Sequence, residues 1–138
     1  MKLDLSPLQN AIEQLSKSLN FAHSDMAKKD NDLFEQFRNS VIQCFEFTYE
    51  ISWKMIKRQI EIDSPSPELI DTYSYNDLIR EAAERGIIED PKKWFNYRHF
   101  RNLTSHAYNK NKAAEIFNAA SEFLISVSFL LTQLRTKN

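Results

Sequence analysis

Hydrophobic residues recur along this chain at the three- and four-residue spacing that is typical of amphipathic helices. In the first such pattern, at residues 6–21, one face is formed by Leu8, Ile12, Leu15 and Leu19. Ser6 is expected to cap this helix and Pro7 to lie in its first turn, where a missing N–H costs nothing. We expect a polar loop at about 22–31. A last helix is predicted at about 112–135, with an apolar face that runs from Ile116 to Leu134.

The longest pattern, from about Asp32 to Ile62, contains neither glycine nor proline and predicts one long helix. It carries two apolar stripes, and a helix with two apolar faces needs two packing partners. One partner is the chain's own bundle, and the other could be a second copy of the chain. The first stripe is Phe34, Phe37, Val41, Phe45, Thr48, Ser52 and Met55, and the second is Ile42, Tyr49, Trp53, Ile56 and Ile60.

Turn and capping residues divide the rest of the chain. The prolines of 63–73 predict a loop, after which Ser74 and Asp77 form a capping box for a helix that Gly86 ends. Asp90 and Pro91 then start a helix that we predict to run from 91 to 108, and "NKNK" (109–112) separates it from the last one. The fold class is therefore all-α, an antiparallel up-and-down bundle of about five helices with a four-helix core, in a single domain at 1–138.

Composition narrows the function. One glycine and four prolines among 138 residues are too few for the tight turns of a sheet protein. A net charge of −1, from 18 basic and 19 acidic residues, argues against non-specific binding of long DNA. The single cysteine, Cys44, has no partner for an internal disulfide. We see no signal peptide and no apolar run near 18 residues, so we expect a cytoplasmic protein without a membrane segment.

The sequence "RNLTSHAY" (101–108) places polar residues together near the end of the fourth predicted helix. At about 100° per residue, these residues share an arc of about 160°, opposite the apolar positions. The arc contains Arg98, Arg101, Asn102, Ser105, His106 and Tyr108. Metal-free cleavage of RNA needs a base, an acid and a cation for the phosphorane charge. Histidine serves as acid or base near neutrality, and arginine binds phosphate through paired hydrogen bonds. Two protomers would supply two of each, which favours a homodimer.

A plainer interpretation of this arc is a solvated helix face without chemistry, and spacing alone favours it. Glu50 and Lys54 are most simply an exposed ion pair four residues apart. Glu46 lies among aromatic residues, and a partly buried carboxylate normally has a cationic partner. Arg101 is the candidate for that partner.

In their order along the chain, "FEFTYEISWK" (45–54), "IREAAERGII" (79–88), Trp94 and "RNLTSHAY" resemble the nucleotidyltransferase substrate-binding protein family. That family belongs to the HEPN group (higher eukaryotes and prokaryotes nucleotide-binding). The resemblance covers about residues 8–134. It implies a helical bundle similar to the C-terminal domain of kanamycin nucleotidyltransferase, a homodimer, and a separately encoded minimal nucleotidyltransferase as partner.

In related toxin–antitoxin pairs the HEPN protein is a metal-independent ribonuclease, which its partner silences by adding AMP to a tyrosine. The resemblance then implies that Arg101 polarises the scissile phosphate, Asn102 holds the geometry, and His106 is the acid–base group. Tyr108 would be the AMPylated, nucleotide-binding residue, with Glu46, Arg98 and Ser105 in support. We assign no metal ligand and no cofactor.

Three hypotheses remain open. The chain is the substrate- or nucleotide-binding subunit of a two-chain enzyme, or a ribonuclease toxin that acts through Arg101 and His106, or a helical protein without chemistry. It is not itself the transferase, because it has no Gly-Ser followed by paired aspartates to hold Mg²⁺. Under the first hypothesis the ligand is a nucleotide or the acceptor of the transferase, and under the second it is RNA.

Overall fold

The computed structural model describes residues 2–138, and the regular structure within them is entirely helical. The α-helices in this part of the chain are α1 (Ser6–Ala22), α2 (Asp25–Lys29), α3 (Asn31–Asp63), α4 (Pro67–Ile70), α5 (Tyr75–Glu84), α6 (Pro91–Leu103) and α7 (Lys110–Lys137). A 3₁₀ turn at Thr104–His106 follows α6. The predicted all-α class is confirmed.

Side-chain contacts define the direction of each long helix. Phe21, near the end of α1, stacks on Phe37, near the start of α3, so these helices are antiparallel. Lys110 at the start of α7 pairs with Glu35, and Lys137 at its end pairs with Asp63, so α7 runs parallel to α3. Asp90, at the start of α6, shares a small pocket with Phe129 of α7, and Tyr97, further along α6, contacts Phe123, so α6 is antiparallel to α7 and to α3. The order α1, α3, α6, α7 is therefore up-down-up-down, which confirms the antiparallel bundle.

Local signals account for most helix ends. Ser74 and Asp77 form the predicted capping box of α5, and Asp90 caps α6 ahead of Pro91. Gly86 has φ of 74°, a conformation that costs glycine little. The Ser6 prediction was wrong: Leu5 is the N-cap of α1 and makes no side-chain cap hydrogen bond.

Both apolar faces of α3 are covered by the chain itself. Phe45, from the first stripe, packs on Phe123 of α7 with ring centroids 4.7 Å apart. Tyr49, from the second stripe, packs on Trp94 of α6 at 6.3 Å. The two stripes therefore do not require a second copy of the chain. Phe123 is fully buried at the centre of this aromatic cluster, where it also contacts Tyr97 at 4.9 Å.

Three predicted segments differ from the structure. The loop at 22–31 contains α2, which Ser24 caps by accepting a hydrogen bond from Ala27 N–H. The loop at 63–73 contains α4, which starts at Pro67. The fourth helix does not reach residue 108, because α6 ends at Leu103.

Helix α7 is relevant to the expectation that the chain has no membrane-spanning segment. By length and composition it is apolar enough to cross a membrane, so the statement that the chain has no apolar run of that kind was wrong. In the structure one face of α7 is buried against the bundle, from Ala113 to Leu134. A core helix of this length passes the same test.

Candidate functional site

The residues of "RNLTSHAY" do not share one α-helical face. Arg101 and Asn102 lie in the last turn of α6, His106 lies in the 3₁₀ turn, and Tyr108 follows that turn. The Thr104 N–H and hydroxyl both donate to the Arg101 carbonyl, the hydroxyl at 2.7 Å, where the chain changes to 3₁₀ geometry. Likewise, the Ser105 hydroxyl donates to the Asn102 carbonyl at 3.3 Å.

Arg101 is held by two carboxylates of α3. Its Nε donates to Glu50 Oε1 at 2.8 Å, and one of its terminal nitrogens lies 3.6 Å from Glu46 Oε1. The predicted pairing of Glu46 with Arg101 is confirmed, although Glu50 is the closer partner. Glu50 therefore bonds across helices rather than to Lys54, and its second oxygen accepts a hydrogen bond from Trp53 Nε1 at 3.2 Å. The Arg101 side chain is 29% exposed, so this network is partly open to water.

A cavity of about 430 Å³ opens beside Arg101, between α3, the α4–α5 segment and α6. Three predicted site residues, Arg98, Arg101 and Asn102, line it. The other lining residues come mainly from α3 and from the segment before and within α5: Tyr49, Glu50, Trp53, Lys57, Ile70, Tyr73, Ser74, Tyr75 and Leu78. Its volume falls within the range of about 300–1,000 Å³ typical of small-molecule pockets.

Two tyrosines of this cavity were missed by the sequence analysis. The Tyr49 hydroxyl donates to the Tyr75 hydroxyl, which donates to the Trp94 carbonyl at 3.3 Å. Burial raises the pKa of Tyr49 well above its ordinary value and raises the pKa of Tyr75 to about 12. Both therefore stay protonated near neutrality. Tyr49 was assigned to an apolar stripe, and no local spacing signals its pairing with a residue 26 positions away.

His106 and Tyr108 lie outside this cavity. Tyr108 is 85% exposed, and its ring centroid is 6.2 Å from that of the exposed His106. Tyr108 borders a shallow groove of about 300 Å³ that Glu46 and Ala107 also line, together with α3 residues Asn39, Ile42 and Gln43. Glu46 thus lies between the two regions: it contacts Arg101 and also lines the Tyr108 groove.

The candidate site therefore has two parts within one protomer. The first part is a cavity with aromatic walls and with Arg98, Arg101 and Asn102 on its lining. The second part is an exposed pair, His106 and Tyr108, whose side chains can meet a partner or a long ligand. Ser105 is exposed and bonds only within its own turn. Within residues 2–138 no group of three or more His, Cys, Asp or Glu side chains is arranged to hold a metal ion.

The amino-acid sequence of this chain is similar to those of known proteins. A family described as nucleotidyltransferase substrate binding protein like matches residues 3–136. A probable ribonuclease HepT from Haemophilus influenzae is 47% identical over 97 residues, which are 70% of this chain. The aligned segment covers 66% of that relative, so the chain spans just under two thirds of its length.

Two solved structures have the same fold. One, from Haemophilus influenzae, is described as the fold of a substrate-binding domain of a nucleotidyltransferase. It superposes with a TM-score of 0.89 at 36% identity and covers 96% of this chain and 99% of its own. The second, from Thermus thermophilus, has a TM-score of 0.69 at 23% identity and covers 93% of this chain and 98% of its own, a likeness in fold alone.

Proposed function

This chain belongs to the nucleotidyltransferase substrate binding protein like family, and we propose that it is the nucleotide- or substrate-binding subunit of a two-chain enzyme. The catalytic partner would be a separately encoded minimal nucleotidyltransferase. The observation that carries the proposal is the cavity that Arg101 and Asn102 help to line. It combines aromatic walls with cationic side chains, the surface that a base and a phosphate require.

The division of labour follows from what the chain contains. A nucleotidyl transfer needs Mg²⁺ on carboxylates to stabilise the charge on the phosphates, and the sequence has no strand with paired aspartates to supply them. This chain would hold and orient the acceptor or the nucleotide, while the partner would bind the metal and perform the transfer. The exposed side chains outside the cavity, above all Tyr108, are available for contact with that partner.

Co-purification tests this proposal. The tagged chain, co-expressed with the minimal nucleotidyltransferase encoded beside its gene, should elute together with that protein from a size-exclusion column. Each protein expressed alone should elute later, at a smaller apparent mass. The double variant Arg98→Ala and Asn102→Ala should keep the complex but lower transfer to the acceptor. A chain that elutes alone, with the transferase fully active without it, would contradict the proposal.

A second function, metal-independent ribonuclease, has its own supporting observation. His106 is exposed beside Tyr108, and the relative named above is called a probable ribonuclease. In this mechanism His106 would take the 2′-hydroxyl proton, and the 2′-oxygen would attack the phosphorus. Arg101 would stabilise the phosphorane, and a protonated His106 of a second protomer would give its proton to the leaving 5′-oxygen. Asn102 would fix the geometry, with Glu46, Arg98 and Ser105 in support.

Tyr108 would connect the two functions. Its hydroxyl oxygen would attack the α-phosphorus of ATP bound to the transferase, lose its proton and displace pyrophosphate, which leaves AMP on the tyrosine. The added phosphate would lie near His106 and block the approach of RNA. This modification needs an accessible tyrosine, and Tyr108 is 85% exposed.

Growth and mass measurements separate these functions. A ribonuclease should arrest growth when expressed alone, and His106→Ala should abolish the arrest without loss of helical signal, since His106 is exposed. Co-expression with the transferase should add one or more adenylate masses to the wild type and none to Tyr108→Phe. If wild type and His106→Ala have the same effect on growth, the chain has the binding function alone.

We further propose that the protein is a cytoplasmic homodimer of one-domain chains that does not bind membranes or long DNA.

A further inference from the structure

The cavity beside Arg101 has one fixed aromatic wall. Trp53 Nε1 donates to Glu50 Oε2 at 3.2 Å, and the Tyr75 ring meets the indole edge to face at 6.5 Å between centroids. Trp53 is only partly buried, so part of its surface stays available to the cavity. An indole that is already ordered loses little conformational entropy when a planar ligand stacks on it.

The cavity also has one cation without a carboxylate partner. Among the lining residues, Lys57 Nζ lies 3.2 Å from Asp71 Oδ1, and Arg101 is held by Glu50 and Glu46. Within the described part of the chain, Arg98 makes no ion pair. Its guanidinium lies 4.4 Å from the centroid of the Tyr75 ring, and its side chain is exposed. Stacking on an aromatic ring leaves guanidinium N–H groups free to bind an anion.

Arg98 is therefore the charge on the lining that is available to an anion. The other two cations there, Lys57 and Arg101, already have carboxylate partners. The ligand class that satisfies both walls is an aromatic ring joined to a phosphate, because the ring stacks on an indole and the phosphate binds an arginine through paired hydrogen bonds.

We propose that this cavity binds a single nucleotide unit, with its base against Trp53 and its phosphate on Arg98. The proposal deepens the binding function given above and rests on it for the ligand class. It assigns the phosphate to Arg98 rather than Arg101, whose donors are directed at two carboxylates. The site is complete within one protomer, so the binding does not depend on dimerisation.

Calorimetry with AMP, adenosine and inorganic phosphate on the isolated chain tests the assignment. Arg98→Gln should weaken AMP binding about tenfold, or 1.4 kcal/mol, and leave adenosine unchanged, because adenosine has no phosphate. Arg80→Gln is the matched control: Arg80 also lies over a ring, Phe95 at 5.4 Å, but it is not part of the cavity lining. Equal AMP affinity for Arg98→Gln and Arg80→Gln would overturn the assignment.

The stacking wall has its own variants. Trp53→Leu should weaken AMP and adenosine by a similar factor, and Trp53→Phe, which keeps a ring, should retain most of the affinity. A short single-stranded oligoadenylate should bind about as well as AMP, since the cavity accepts one unit. Oligoadenylate that binds more than about tenfold tighter, or wild type that binds no AMP, would overturn the proposal. Because the assay uses this chain alone, its failure leaves the co-purification result with the transferase unaffected.

Discussion

Arg101 Nε and Glu50 Oε1 are joined at 2.8 Å across 51 positions of sequence, and this bond fixes the end of α6 against the middle of α3. Glu46 approaches the same guanidinium at 3.6 Å. A phosphate that reaches Arg101 must therefore compete with two carboxylates, whereas one that reaches Arg98 meets no such competition. The carboxylates also fix the orientation of Arg101, so either of them can act as a positioning residue in the proposed ribonuclease.

A double-mutant cycle measures how strongly these groups interact. Arg101→Ala combined with Glu50→Ala should give a coupling free energy of about 1 kcal/mol, the upper range for ion pairs that are partly exposed. The cycle with Glu46→Ala should give less, because its contact is longer. Urea denaturation provides the free energies of unfolding. Equal coupling in the two cycles would contradict the geometry.

The raised pKa of Tyr97 predicts that the free energy of unfolding falls at alkaline pH. Burial raises the pKa of Tyr97 to about 12, while an unfolded tyrosine titrates near 10. Between these values the unfolded state loses its proton first, so the stability contribution present below pH 10 is lost as pH rises, at up to about 1.4 kcal/mol per unit. Tyr97→Phe removes this titration and also the 2.6 Å hydrogen bond to Ser126, which contributes about 1 kcal/mol.

Wild type should therefore exceed Tyr97→Phe in free energy of unfolding at neutral pH, and this difference should shrink and change sign between about pH 10 and 12. Urea denaturation followed by circular dichroism across this range measures both curves. Tyr108→Phe is the control for loss of an exposed phenol and should leave the neutral-pH value unchanged. Parallel curves for wild type and Tyr97→Phe would be inconsistent with a raised pKa.

Gly86 tests the turn after α5. Its φ of 74° lies in the left-handed region, and a Cβ built there would meet no atom within 4 Å. Gly86→Ala should therefore lower the free energy of unfolding by about 1–2 kcal/mol through backbone strain alone. Gly86→Asn should cost less, since asparagine adopts this conformation more readily. Thermal or urea denaturation distinguishes the two, and equal losses would point to a clash instead.

The homodimer remains a prediction, and the proposed ribonuclease depends on it because the second protomer would supply the second His106. Sedimentation equilibrium should give twice the chain mass of 16.3 kDa at micromolar concentration. Tyr108→Glu should weaken association more than Met26→Glu if the Tyr108 groove faces the second protomer, because both residues are exposed but only Tyr108 borders that groove. A chain that sediments as a monomer would remove the acid–base pair that the ribonuclease needs.

Local chemistry made most of the fold predictable. The long helices follow from apolar periodicity, and the ends of α5 and the start of α6 follow from capping residues and Gly86. The end of α6 at residue 103 carries no such signal. Neither proline nor glycine lies there, and the Thr104 and Ser105 hydroxyls bond to carbonyls of its last turn, as the Ser52 and Thr132 hydroxyls do inside helices that continue. The apolar periodicity continues through this segment, so the predicted helix included His106 and Tyr108, although α6 ends at Leu103.

The cavity was less accessible to sequence reasoning. Arg98, Arg101 and Asn102 were identified from one segment, but Trp53, Tyr73 and Tyr75 come from elsewhere and were assigned to a stripe, a loop and the start of a helix. The Glu46–Arg101 contact could be predicted because a carboxylate among aromatic residues needs a cation. The stronger Glu50 contact could not, since the ion pair with Lys54 on its own helix was the simpler expectation.

The sequence by itself determined the long helices, their order, the family and the segment that carries the polar residues, because those follow from spacing and from groups within a few positions of one another. Only the tertiary structure decided that Glu50 is the closer partner of Arg101, that Arg98 lies over the Tyr75 ring, and that His106 and Tyr108 lie outside the cavity. These outcomes depend on how α3, α5 and α6 pack, and a shift of one helical turn between them would change every partner.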